Sequence, residues 1–197
     1  MKKISLIFCL TIFCLISFSQ VKGTFKDFRD GKVYKTVKIG TQTWLAENLA
    51  FKPDSGNYWA YKNDQNNTAK YGYLYDWKTA KIVIPKGWHL PSDAEWSELI
   101  NNLGGDSIAG GKLKATIDWQ SPNEGATNST GFSALPAGFR ISDFGSCGNL
   151  GISAAFWSSA PVDNNTWVRQ LDNKFGWVSR TKSHIKNGFS VRCLKNK

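Results

Sequence analysis

Gly87-Trp88-His89-Leu90-Pro91-Ser92-Asp93-Ala94-Glu95-Trp96-Ser97-Glu98-Leu99-Ile100-Asn101-Asn102-Leu103-Gly104-Gly105 reads as one helix with both ends marked. Ser92 and Glu95 stand at the S-x-x-E spacing of a capping box, in which each side chain satisfies the other's backbone N–H. Pro91 blocks backward extension, and Asp93 and Glu95 put negative charge at the positive end of the helix dipole. Trp96, Leu99, Ile100 and Leu103 repeat at i, i+3, i+4 and i+7, the spacing of one buried face. Gly104 and Gly105 supply the positive-φ stop. Trp88 and Leu90 then pin the start of the helix to a core.

Strand signals lie on both sides of this helix. Upstream, "DGKVYKTVKIGTQTWLAENLAF" (residues 30–51) predicts a hairpin turning at Gly40-Thr41, with Trp44 and Leu49 directed inward. Residues 20–29 read as a polar N-terminal lead. The segment "KPDSGNYWAYKNDQNNTAKYG" is a long polar loop that carries Tyr58, Trp59 and Tyr61, and Tyr73–Lys81 has short helical character. Downstream, Gly110–Ala115 reads as a tight turn into a short turn or strand. Residues 116–140 are punctuated by Pro, Gly and Asn and form an irregular loop anchored by Phe132, Leu135 and Phe139. The last third is an antiparallel meander: "AAFWSSA", "TWVRQLD", "FGWVSRT" and a closing "NGFSVRCLK" with Phe189, Val191 and Cys193 on one face and Ser190 and Arg192 on the other.

The N-terminus has the pattern of an export signal. Met1-Lys2-Lys3 is basic, Ile4–Ile16 is nearly all apolar, and Ser17-Phe18-Ser19 offers a cleavage site before Gln20. Residues 1–19 are therefore expected to leave. No later stretch is apolar enough to cross a bilayer. The net charge of +10 falls to +8 once Lys2 and Lys3 are removed. That sign suits anionic partners or simply solubility, and no Lys/Arg run of a nucleic-acid arm is present. Two of the four Cys leave with the signal, so Cys147 and Cys193 are expected either to bridge in an oxidising compartment or to stand as two separate thiols.

No catalytic constellation with a sequence signature occurs, and a glycosidase pair of carboxylates, which need be close only in space, stays open at this point. The two His, His89 and His184, occupy no metal-ligand spacing, and no Gly-x-Ser-x-Gly elbow occurs. His89 is expected to bond a backbone carbonyl beside the capping box. Glu47-Asn48 reads either as a ligand pair or as a turn bonded to local backbone. No cofactor is expected. Asn63, Asp64, Asn66 and Asn67 are oxygen donors that make Ca²⁺ a candidate, without the spacing of a calcium loop. The informative feature is the set of nine Trp. Trp157, Trp167 and Trp177 cluster in the meander with Arg169 and Arg180. They read either as a ligand platform, with rings stacking on sugar C–H faces and Arg donating hydrogen bonds, or as core filling for a loop-rich fold. Trp44, Trp88 and Trp96 read as core.

Seven segments in order, "VKIGTQTWLAENL", "KYGYLYDW", "GWHLPSDAEW", "GGKLKA", "GFSALPAGFR", "FWSSA" and "GFSVRCLK", resemble the Fibrobacter succinogenes major paralogous domain across residues 30–195. "LPSDAEW" is also similar to a segment of the formylglycine-generating, sulfatase-modifying enzymes. The resemblance implies an α+β, C-type-lectin-like fold: antiparallel strands at both chain ends, two helices and a long loop region. It implies no established enzymatic activity. The E-P-N and Q-P-D sugar-and-calcium motifs of animal C-type lectins are absent, as is a counterpart of the modifying enzymes' cysteine pair. The expectation is a non-catalytic binding or adhesion module, secreted, periplasmic or at the cell surface, whose partner is a glycan or an envelope protein. A glycan-active or protein-modifying enzyme and a structural envelope protein are the alternatives.

Overall fold

The computed structural model describes residues 21–197, so the expected export signal, with Cys9 and Cys14, lies outside the described residues. In chain order, β1 (Lys22–Lys26), β2 (Val33–Ile39) and β3 (Gln42–Leu45) lead to β4 (Tyr58–Trp59), two 3-10 turns and the one-turn helix α1 (Thr68–Tyr71). Next come β5 (Leu74–Tyr75), helix α2 (Trp77–Ile82), β6 (Trp88–His89) and helices α3 (Asp93–Asn102) and α4 (Asp106–Leu113). A ribbon of β7 (Phe139–Arg140) and β8 (Cys147–Gly148) precedes the meander β9 (Ser153–Val162), β10 (Asn165–Asp172) and β11 (Ser179–His184), and β12 (Leu194–Lys195) closes the chain. The strands form sheets ordered β1-β2-β3-β12-β6, β11-β10-β9, β4-β5 and β7-β8, and the pairings between these strands are antiparallel. This is a mixed, mostly antiparallel α+β architecture. No helix among the described residues is long and apolar enough to cross a membrane.

Helix α3 follows the expected chemistry. Glu95 Oε2 accepts from Ser92 N at 2.8 Å, and Ser92 Oγ accepts from Glu95 N at 3.2 Å. Gly105 N bonds the Ile100 carbonyl and Gly104 N bonds that of Asn101, with φ of 95° and 97°, the two bonds of a Schellman stop. Trp96, Leu99, Ile100 and Leu103 are buried. Trp96 meets Trp44 at 4.7 Å and Phe156 at 5.7 Å between ring centroids. Aromatic pairs of this kind add about 0.5–1.5 kcal/mol each beyond the area they bury.

Two packed clusters lie on either side of a shared seam. Along β9, Ala154 and Phe156 face the cluster of Trp44, Trp96 and Phe132, whereas Ala155 and Trp157 face that of Tyr75, Phe189 and Cys193. The closing segment runs beside β9: Trp157 N donates to the Ser190 carbonyl, Ser190 N to that of Ala155, and Leu45 N to that of Cys193. A strand buried on both faces reads as a continuous run rather than as an alternation. The expected polar face of Ser190 and Arg192 is accordingly buried as deeply as the apolar one.

The structure corrects four further expectations. Residues 22–26 pair with Val33–Val37 as an edge strand instead of a lead, with Phe25 packed on Trp88 at 5.0 Å. Gly110 and Gly111 lie inside α4, and with α1 the described residues hold four α-helical segments instead of two. Glycine is required there by close approach: a Cβ would sit 2.4 Å from the Trp177 carbonyl oxygen at Gly110 and 2.2 Å from that of Gly125 at Gly111. Residues 175–178 lie before β11 rather than in it, held to α4 by Gly111 N to the Gly176 carbonyl and Val178 N to that of Asp106. The expected bridge is also missing. Cys193 is a buried free thiol of one core, while Cys147 is a half-buried free thiol that accepts from Lys62 N. Each sulfur is packed in its own surroundings. The long loop after α4 is pinned as expected by Phe132, and by buried Lys114, whose Nζ donates to the carbonyls of Glu124, Asp172 and Phe175 at 2.8–2.9 Å.

Candidate ligand-binding cleft

The five meander residues part company in the folded chain. Trp157 is fully buried, with Nε1 donating to the Tyr75 carbonyl at 2.7 Å, so its ring is core and not platform. Trp177 is 46% exposed and stacks on Phe175 at 4.0 Å, 10° from parallel. It belongs to the turn that packs on α4, before β11 begins. The other three assemble on one face of the three-stranded sheet. Arg180 lies 3.4 Å above the Trp167 ring, opposite Arg169 in register. Asp93, at the start of α3, accepts from both guanidinium groups, at 2.7 Å from Arg169 and 2.9 Å from Arg180. Burial pulls the Arg169 pKa down and the Asp93 charge opposes it. This constellation ties the sheet to the helix. Asp93 offsets one of the two positive charges, and Arg180 covers one face of the Trp167 ring.

Three other suspected sites are occupied by structural bonds. His89 pairs with the Glu95 and Asn196 side chains at 2.9 and 2.8 Å, not with a backbone carbonyl. Asn48 does not bond its own turn. It donates to the Tyr71 carbonyl and Ser190 Oγ and accepts from Arg192. In the polar loop, Asp64 accepts from Asn66 N, and Asn67 Nδ2 donates to the Tyr61 carbonyl. Among the described residues, no group of three or more His, Cys, Asp and Glu is placed to hold a metal ion.

A cleft of about 300 Å³ opens elsewhere, between four segments distant in sequence. Strand β4 supplies Trp59, preceded by Asn57; the first turn of α2 supplies Lys78 after its cap Asp76; β7 supplies Arg140, followed by Ser142; the turn after β11 supplies Ile185 and Lys186. The Arg140 guanidinium lies 4.7 Å from the centroid of the Trp59 ring. Gly188 permits that packing, because a Cβ there would meet Trp59 at 3.0 Å and Arg140 at 3.1 Å. Asp76 Oδ1 caps α2 by accepting from Thr79 N at 2.7 Å, and its Oδ2 accepts from Asn57 Nδ2 at 2.8 Å. Arg140 donates to the Gly145 carbonyl, and its buried Nε has no acceptor within the protein. A larger groove, about 490 Å³, is lined by Lys22, Lys35, Lys70 and the Asn48 and Ser133 side chains, but no aromatic ring faces it. Of the two, the smaller cleft combines a ring, a guanidinium and an amide side chain.

Sequence reasoning missed this site. Trp59 was visible as an aromatic in a polar loop, but nothing in its neighbourhood signals Arg140, 81 positions further along the chain.

Fold and cleft together define an α+β domain with a small polar-aromatic recess. Residues 37–195 match the family model described as the Fibrobacter succinogenes major domain, and the chain belongs to that family. No curated protein matches the chain, and no solved structure matches it.

Proposed function

We propose that this chain is an exported, non-catalytic binding module of the bacterial cell envelope, of C-type-lectin-like fold, that takes a saccharide into the Trp59–Arg140 cleft. One observation carries the reading: an aromatic ring, a guanidinium and an amide side chain converge on one concave site. Sugars present C–H faces that stack on rings and hydroxyls that bond planar donors and amides, so this combination suits them. The single carboxylate lining the cleft, Asp76, is tied to a helix start and to Asn57, which favours binding over acid–base chemistry. The apolar, basic-headed N-terminus supports export.

The test is a glycan-array screen of residues 20–197, with and without EDTA, beside folded Trp59→Ala and Phe175→Ala/Trp177→Ala variants. Binding that survives EDTA and is lost only in Trp59→Ala supports the cleft. An array blank across neutral and acidic glycans refutes saccharide binding. The exposed Phe175–Trp177 stack favours a second reading, contact with another envelope protein, because stacked, half-exposed rings are interface anchors. That reading predicts loss of partner capture in the double variant and no change on the array.

A further inference from the structure

We infer that the cleft selects acidic saccharides, those bearing a carboxylate or sulfate, an inference that rests on reading the cleft as a saccharide site. Its lining carries three cations, Lys78, Arg140 and Lys186, against one carboxylate, Asp76. Asp76 does not balance them. Both of its oxygens already accept hydrogen bonds, from Thr79 N and Asn57 Nδ2, and its charge stands at the start of α2, where the helix dipole favours it. Among the described residues, none of the three cations forms a salt bridge. Elsewhere in the molecule basic side chains do find carboxylates, as Arg29 does with Asp27 and Arg169 with Asp93. Unpaired cations occur elsewhere too, Arg192 among them; what is particular to the cleft is that three of them line one recess beside an aromatic ring.

Arg140 gives the sharpest indication. Its guanidinium lies against Trp59 and donates to the Gly145 carbonyl through Nη1, while Nη2 has no protein acceptor and is not buried. An anionic oxygen is the acceptor that a guanidinium binds best. Lys78 and Lys186 are exposed and stand on two other segments around the same recess. Like charges around a concave, partly apolar wall reinforce one another's field and draw anions inward. Trp59 adds what a bare inorganic anion does not need, a ring face for an apolar body. An acidic sugar ring meets both demands, with C–H faces for Trp59 and a carboxylate or sulfate for Arg140 and the lysines.

The experiment is calorimetric titration of residues 20–197 with a uronic-acid oligosaccharide and with the same oligosaccharide after its carboxylates are reduced to alcohols. A sulfated oligosaccharide and free sulfate serve as further probes. The acidic form should bind about tenfold more tightly at low salt, and raising the salt to about 0.5 M should erase most of that margin, as expected for partly exposed charges. Lys78→Gln and Lys186→Gln, both at exposed positions, should each weaken the acidic ligand about threefold and leave the reduced ligand unchanged. Arg140→Lys keeps the charge but loses the planar fork, and should lose more than either lysine variant. Equal affinity for acidic and reduced forms, with both lost in Trp59→Ala, overturns the charge preference and leaves the saccharide site standing. Free sulfate binding as tightly as the sulfated sugar overturns the preference for a sugar acid. No binding of either oligosaccharide overturns both readings.

Discussion

Arg192 Nε donates to Asn48 Oδ1 at 2.7 Å across 144 positions of sequence, inside the protein and with no carboxylate in contact. Three further guanidinium hydrogens go to the carbonyls of Leu45, Phe132 and Ser133 at 2.6–3.1 Å, and the Phe132 ring lies 4.5 Å away. Burial pushes the Arg192 pKa down to about 9, with Glu47 opposing, so the group stays charged at neutral pH. One side chain thus binds the end of β3, the long loop and the closing segment to one another. Replacing it by Ala would take this donor from three carbonyls and from Asn48 Oδ1. We expect Arg192→Ala to lower the unfolding free energy by about 3–5 kcal/mol, read from urea denaturation, and Asn48→Ala by about 1–3 kcal/mol.

Asp93 should behave differently toward its two partners. Arg169 is buried and Arg180 is largely exposed. Asp93→Asn strands a buried cation and should cost about 3 kcal/mol, whereas Arg180→Gln should cost under about 1 kcal/mol. Thermal melts of the two variants check this, and equal losses would mean that the Arg169 pair is not the one that matters.

The thiols offer a counting test. In residues 20–197 the native protein should react with a maleimide at Cys147 alone, because burial pushes the Cys193 thiol well up and closes access to it. Two thiols should react after denaturation without reductant. A count of zero in both states would show a bridge.

Acid should unfold the protein through identifiable groups. Burial alone would push Glu95 up, but hydrogen bonds from Ser92 and the contact with His89 outweigh it and hold the carboxyl below its usual range. For Asp27 the desolvation of burial is likewise outweighed by Arg29. A folded pKa below the unfolded one means that the unfolded chain takes up protons first. The stability these groups supply is full above the usual carboxylate range, about pH 4–4.5, and is lost as pH falls through the folded values. Melting temperature should therefore drop below that range, and Glu95→Gln should flatten the drop while lowering the plateau near neutrality.

Local chemistry was legible in the sequence. The α3 capping box, its glycine stop and the β2–β3 hairpin turn at Gly40-Thr41 each depend on residues within a few positions of one another, and a short-range code can be read from spacing alone. The resemblance carried by seven ordered segments led to the family. Burial was another matter. Trp157 and Trp177 look alike in sequence, yet one is core and the other is surface, because β9 lies between two packed clusters whereas residue 177 sits in a turn over α4. Gly110 and Gly111 looked like a turn because the neighbours that demand glycine, the carbonyls of residues 125 and 177, arrive from elsewhere in the chain. The cleft shows the same limit. Trp59, Lys78, Arg140 and Lys186 come from four segments, and only the folded chain places them around one recess. The sequence determined where α3 begins and ends and where the β2–β3 hairpin turns, since those choices are made by neighbours along the chain. Tertiary structure alone decided which aromatics are core, that the two thiols stay apart, and where an unpaired cation meets an aromatic wall, since those depend on contacts that no spacing encodes.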